Sequence, residues 1–131
     1  MRVADVSSAQ GQISVRGPGS AVLIERLCFG QKVNKERGEV TLATIGTARC
    51  LVIATTFGPV KGFDVITGSL YVTAIWEKLQ EAARATGARH IGHAAHDILR
   101  IESGIPAVGF DVDEDTTPIE INQIAQVDFT K

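Results

Sequence analysis

The sequence predicts an α+β plait, an antiparallel sheet with helices packed on one face, and three observations carry that reading. Apolar Ile13 and Val15 alternate with polar Gln12, Ser14 and Arg16, the period of a half-buried strand. The stretch from Gly38 to Phe57 reads as a hairpin turning at Gly46-Thr47. Val72, Ile75, Trp76, Leu79, Ala82 and Ala83 recur at steps of three and four, one apolar stripe along a helix. Strand, helix, hairpin, strand, helix is the resulting order, which suits helices laid on an antiparallel sheet.

Each element has its own signals. Gly17-Pro18-Gly19 breaks the first strand, and Ser20 reads as the N-cap of a helix burying Leu23, Ile24 and Leu27. Gly30 suits the left-handed position after that helix. In the hairpin, Val40 and Leu42 lie on one arm, and Cys50 to Ile53 form a continuous apolar run on the other. Such a run predicts a central strand covered on both faces. Gly58-Pro59 interrupts the chain before another short strand, Gly62-Phe63-Asp64-Val65. The long helix spans about Ser69 to Thr86, with Lys78, Gln80, Glu81 and Arg84 on its wet side and Gly87 as terminator. A shorter helix is predicted from Gly92 to Ser103, burying Ala95, Ile98 and Leu99. From about residue 106 an extended C-terminal segment is predicted, with an acidic patch at Asp111 to Asp115 and loosely alternating Ile119, Ile121 and Ile124.

At 131 residues the chain fits a single domain, 1–131, able to bury a core without staples. Aromatic residues make up 5% against 44% hydrophobic residues, so the core must be aliphatic. A net charge of -2 gives no basic footprint for nucleic acid. No apolar run reaches the length of a membrane span, and the first residues lack a signal peptide's apolar stretch, so a cytoplasmic location is expected. Cys28 and Cys50 sit among apolar neighbours and read as buried thiols, because a domain of this size needs no disulfide.

Several constellations invite chemistry. His90, His93 and His96 are spaced three apart beside Asp97, but His90 precedes the helix and convergent ligands are lacking, so no metal is expected. Asp111, Asp113 and Asp115 imitate a calcium loop, yet Thr116 stands where glycine is needed and Asn122 where a bidentate glutamate is needed. A solvated loop is the better reading. Gly17-Pro18-Gly19-Ser20 could meet an anion at a helix start but lacks a phosphate loop's lysine and spacing. Asp97 and Arg100 are spaced for an i,i+3 ion pair, worth about 0.2–0.5 kcal/mol on an exposed helix. No nucleophile–base pair can be placed by spacing, and no catalytic residue is assigned.

Three ordered stretches carry a resemblance. They are Gly62-Phe63-Asp64-Val65 leading into the Trp76 helix, Ala94-Ala95-His96-Asp97-Ile98-Leu99-Arg100-Ile101-Glu102-Ser103-Gly104, and Gly109-Phe110-Asp111 followed by Thr116-Thr117-Pro118-Ile119-Glu120. Together with the early strand ending in Gly17-Pro18, the succession resembles the glycine cleavage T-protein (aminomethyltransferase) family. It is also similar to the folate-binding halves of sarcosine oxidase and dimethylglycine dehydrogenase. The resemblance implies a ferredoxin-like plait, the middle of three subdomains that enclose tetrahydrofolate and transfer a one-carbon unit to its nitrogen. By that resemblance the preceding subdomain, with its essential aspartate, and the C-terminal barrel are expected to be missing.

Two positions depart from the family pattern. Val60 stands where the family has a folate-contacting glutamate, and His96 where it has an arginine. An aliphatic side chain accepts no hydrogen bond, and an imidazole is shorter than an arginine and lacks its paired donors for a carboxylate tail. Asp97, Arg100 and Glu102 do match the family, in largely architectural roles. The expectation is a truncated, T-protein-like module with degenerate tetrahydrofolate contacts at Val60 and His96, non-catalytic alone and acting as a binding or scaffold subunit. The alternative is a tetrahydrofolate-dependent aminomethyltransferase completed by a partner chain or oligomer. A homo-oligomer or a complementary T-protein-like chain is the expected partner, with neither nucleic acid nor membrane.

Overall fold

The structure, a computed structural model, describes residues 2–130. The chain forms two compact units, Met1–Gly92 and His93–Lys131.

The first unit holds a four-stranded antiparallel sheet: β1 (Gln10–Arg16), β2 (Val40–Ile45), β3 (Ala48–Phe57) and β4 (Val60–Gly68), in the order β1-β4-β3-β2. Helix α1 (Ser20–Leu27) follows β1, and α2 (Val72–Thr86) follows β4 through a 3-10 turn at Ser69–Tyr71. Since β1 and β3 are each antiparallel to β4, they run parallel to one another with β4 threaded between. That split arrangement around α1 is consistent with a ferredoxin-like plait, and the α+β antiparallel architecture is the one the sequence predicts.

Register sets the two faces. Ile13 lies opposite Val65, Val65 opposite Val52, and Ala43 opposite Cys50, all buried. With Leu23, Ile24, Ile75 and Leu79 from the helices they make one aliphatic core. Gly11 is needed where α2 begins, because a Cβ there would collide with the Val72 side chain. The hairpin turn is at Gly46, whose φ of 63° favours glycine.

Three expectations are revised in this unit. Ser20 is the first helical residue and is buried; Gly19 takes the N-cap position, with no side-chain cap. β3 is central, but its apolar run is covered on one side only: Cys50 and Val52 are buried while Leu51 is 36% exposed. Trp76 is half-exposed at the edge of the α2 stripe, and Ile75 and Leu79 form its buried centre.

The second unit contains α3 (His93–Glu102), a 3-10 turn at Ile124–Gln126, and turns between them. Here the predicted burial is inverted. Ala95 is exposed, Ile98 is 59% exposed and Leu99 is half-buried, whereas Arg100 is the buried residue of α3. Among the described residues, those from 106 to 130 form turns, the 3-10 turn and a parallel bridge between Val108 and Val112, where the sequence predicts an extended segment. Among the described residues, no helix is long and apolar enough to cross a membrane.

Candidate functional site

In the first unit, Val60 opens β4 directly after the turn at Gly58, whose φ is 57°. Side chains alternate along a strand, so Val60 shares the face away from the core with Asp64 and Ile66. Val60 pairs with Phe57, Gly62 with Thr55 and Arg16, and Asp64 with Ser14. This end of the open face therefore gathers Val60, Phe57, Thr55, Arg16, Asp64 and Ser14.

A polar trio dominates it. The Arg16 guanidinium lies 2.7 Å from the Asp64 carboxylate and donates to the Phe63 carbonyl at 2.9 Å. The Ser14 hydroxyl donates to the same Asp64 oxygen at 2.6 Å. Gly62 makes the arrangement possible: a Cβ there would collide with the Val15 carbonyl and crowd the Arg16 stem. With Arg16 and Asp64 satisfied by each other, and Val60 half-buried and aliphatic, Asp64 is already engaged and Val60 itself adds no acceptor to this end of the face.

In the second unit, His96 is exposed on α3 and stacks on His93, ring centroids 6.4 Å apart and planes within 15°. One turn on, Arg100 acts as a hub. Its Nε donates to Asp97 at 3.0 Å, and its Nη1 donates to the Ile105 carbonyl at 3.0 Å and to the Asp111 carboxylate. Asp111 also accepts the Ala107 amide at 3.0 Å. That amide first, and Arg100 second, hold the Asp111 carboxyl below its ordinary range. Asp97, first, and Asp111 raise Arg100 further, so the guanidinium stays charged despite its burial. Glu102 is exposed on the last turn. Arg100, braced by Asp97, thus fastens the 105–111 loop to α3.

The remaining sequence candidates resolve into structure. Among the described residues, no group of three or more His, Cys, Asp or Glu could hold a metal ion. Asp113 accepts the Asp115 amide at 3.1 Å and the Thr116 hydroxyl, capping its own turn. Cys28 and Cys50 are free, buried thiols, and burial pushes both upward. His90 lies beside Trp76, ring centroids 6.3 Å apart.

Sequence reasoning missed two features. Glu25 is buried on α1 and takes Lys32 at 3.1 Å and Lys35 at 3.3 Å. Its only early signal is one acid inside an apolar helix. Arg16 and Asp64 are 48 residues apart and become partners only once β1 is laid against β4.

Comparison with known proteins places this geometry. An aminomethyltransferase of Alkaliphilus oremlandii (strain OhILAs) is 25% identical over 126 residues, covering 92% of this chain and 33% of the relative. One of Thermoanaerobacter pseudethanolicus is 27% identical over 124 residues, with the same coverage. One of Prosthecochloris aestuarii is 29% identical over 109 residues, covering 82% of this chain and 30% of the relative. The chain spans about a third of the length of these curated relatives. The model of the GCVT N-terminal domain matches residues 1–131 in full, and the chain belongs to that family, the family of the glycine cleavage T-protein.

Proposed function

We propose that this chain is a T-protein-like module in which tetrahydrofolate contacts have degenerated, and that it serves as a binding or scaffold unit without catalysing transfer on its own. The observation that carries the reading is Val60. A pterin presents N–H donors that an acidic partner would satisfy, and a buried donor left without one costs about 1–3 kcal/mol. Val60 supplies no such acceptor, and the nearest carboxylate on that face, Asp64, is engaged by Arg16 and Ser14. His96 points the same way, because an imidazole gives neither the fixed charge nor the paired donors of an arginine for a carboxylate tail. Tetrahydrofolate is the family's cofactor and remains the ligand to test. Calorimetric titration of the chain with tetrahydrofolate should give no saturable heat at micromolar concentration; saturable micromolar binding overturns the reading.

The second reading is a tetrahydrofolate-dependent aminomethyltransferase completed by a partner chain. It is favoured by membership of the GCVT N-terminal domain family and by likeness to relatives named aminomethyltransferase. Mixing the chain with a separately expressed remainder of a relative and assaying tetrahydrofolate-dependent transfer tests it. Activity absent from either part alone supports completion, and inactivity of the mixture rejects it.

A further inference from the structure

We infer that the free edge of β1 is a self-pairing surface, through which two copies of this chain join antiparallel along β1 into one continuous sheet. The two edges of the sheet are treated differently. Along β2, the Gln31 side-chain amide donates to the Leu42 carbonyl at 2.9 Å and that of Asn34 to the Val40 carbonyl at 3.4 Å. Side chains from the α1–β2 connection thus occupy the groups a foreign strand would need. At β1 no such caps occur among the described residues, and no strand besides β4 pairs with it.

Which β1 groups face outward follows from the ladder. Gly17 donates to the Lys61 carbonyl, and Ser69 donates to the Ala9 carbonyl. Odd-numbered residues therefore exchange bonds with β4, and in an antiparallel pair the alternate residues turn both N–H and C=O away. Those residues are Gln10, Gln12, Ser14 and Arg16. The register from Gln10–Gly68 to Arg16–Gly62 is unbroken, so no bulge twists the edge aside. Neither proline nor lysine guards it, the usual means of blunting an edge.

A second copy suits this edge for two reasons. A two-fold axis through Ile13 sets Gln12 against Ser14 of the second copy and Gln10 against its Arg16. All four outward residues then find partners, making about eight N–H···O bonds across the seam. The pairing also brings no unbalanced charge together. The sole charged residue of β1, Arg16, is already neutralised by Asp64 in each copy. The surface is self-complementary, as a two-fold interface requires.

Amide hydrogen exchange on the full chain, read at high and low protein concentration, tests this directly. The amides of Gln12 and Ser14 should exchange about tenfold more slowly at the concentration where sedimentation gives twice the mass of one chain. Gly11, Ile13 and Val15 should be protected at both concentrations. Gln12→Pro removes an outward N–H and spares the bonds to β4, so it should shift the association midpoint at least about tenfold without changing the circular dichroism. Ser14→Lys, an edge lysine, should do the same if the proline variant fails to fold. A monomer at millimolar concentration overturns the inference, as does a dimer undiminished by the variants or one whose even-numbered amides exchange freely.

Discussion

The two units of this chain are stabilised by opposite means. In the first, apolar residues from four strands, two helices and the connection after α1 close into a core, with Glu25 the buried charge among its described residues. In the second, Arg100 is the buried residue among those described between positions 93 and 130, and Ile98, Ile101, Phe110 and Phe129 stand largely exposed. One unit excludes water by packing; the other is organised around a guanidinium held by Asp97, Asp111 and a carbonyl. A core fails when volume is removed, whereas a charge hub fails when a partner is removed or neutralised.

That contrast can be broken most forcefully in the core. Ile75→Ala, at a side chain 1% exposed between α2 and the sheet, should cost about 2–5 kcal/mol in urea unfolding. Gly62→Ala should follow, at about 1–3 kcal/mol or more, because the added methyl meets the Val15 backbone, which cannot swing aside. Its effect should also reach the Arg16–Asp64 pair, seen as a chemical-shift change at Ser14.

Arg100→Ala should sharpen the comparison from the other side. The amides of residues 105–111 should lose protection while the unfolding midpoint of the first unit is unchanged; a matching loss in both units would refute separate stabilisation. The smallest expected effect is that of acid. Because the Asp111 pKa is lowered, its contribution is whole above the ordinary carboxylate value of about 4 and fades as pH falls through the lowered one. Protection of residues 105–111 should hold from neutral pH down to that range and then decline, and Asp111→Asn should abolish the dependence.

The sequence made the first unit largely legible and the second hardly at all, for a physical reason. Strand alternation at Ile13 and Val15 and the Ile75–Leu79 stripe report directly on burial, since an apolar core is built from local periodicity repeated across elements. Periodicity says that a helix has an apolar face; it does not say that anything covers it. The face through Ala95 and Ile98 in α3 is exposed for that reason, and Leu51 is half-open although it sits in an apolar run. Polar networks leave fainter traces. Asp97 and Arg100 could be paired from their spacing of three, but Asp111 and the Ile105 carbonyl join them through a turn that no period announces. Glu25 with its two lysines, and Arg16 with Asp64, required the tertiary register. Val60 and His96 stood out through departure from a family pattern and not through any local signal of their own.

Placing a glutamate at position 60 and an arginine at position 96 tests the functional account most directly. The Val60→Glu, His96→Arg variant, titrated with tetrahydrofolate in a calorimeter beside the parent chain, should gain saturable binding that the parent lacks. Equal micromolar binding by the parent would show that these two positions never governed the grip on the pterin.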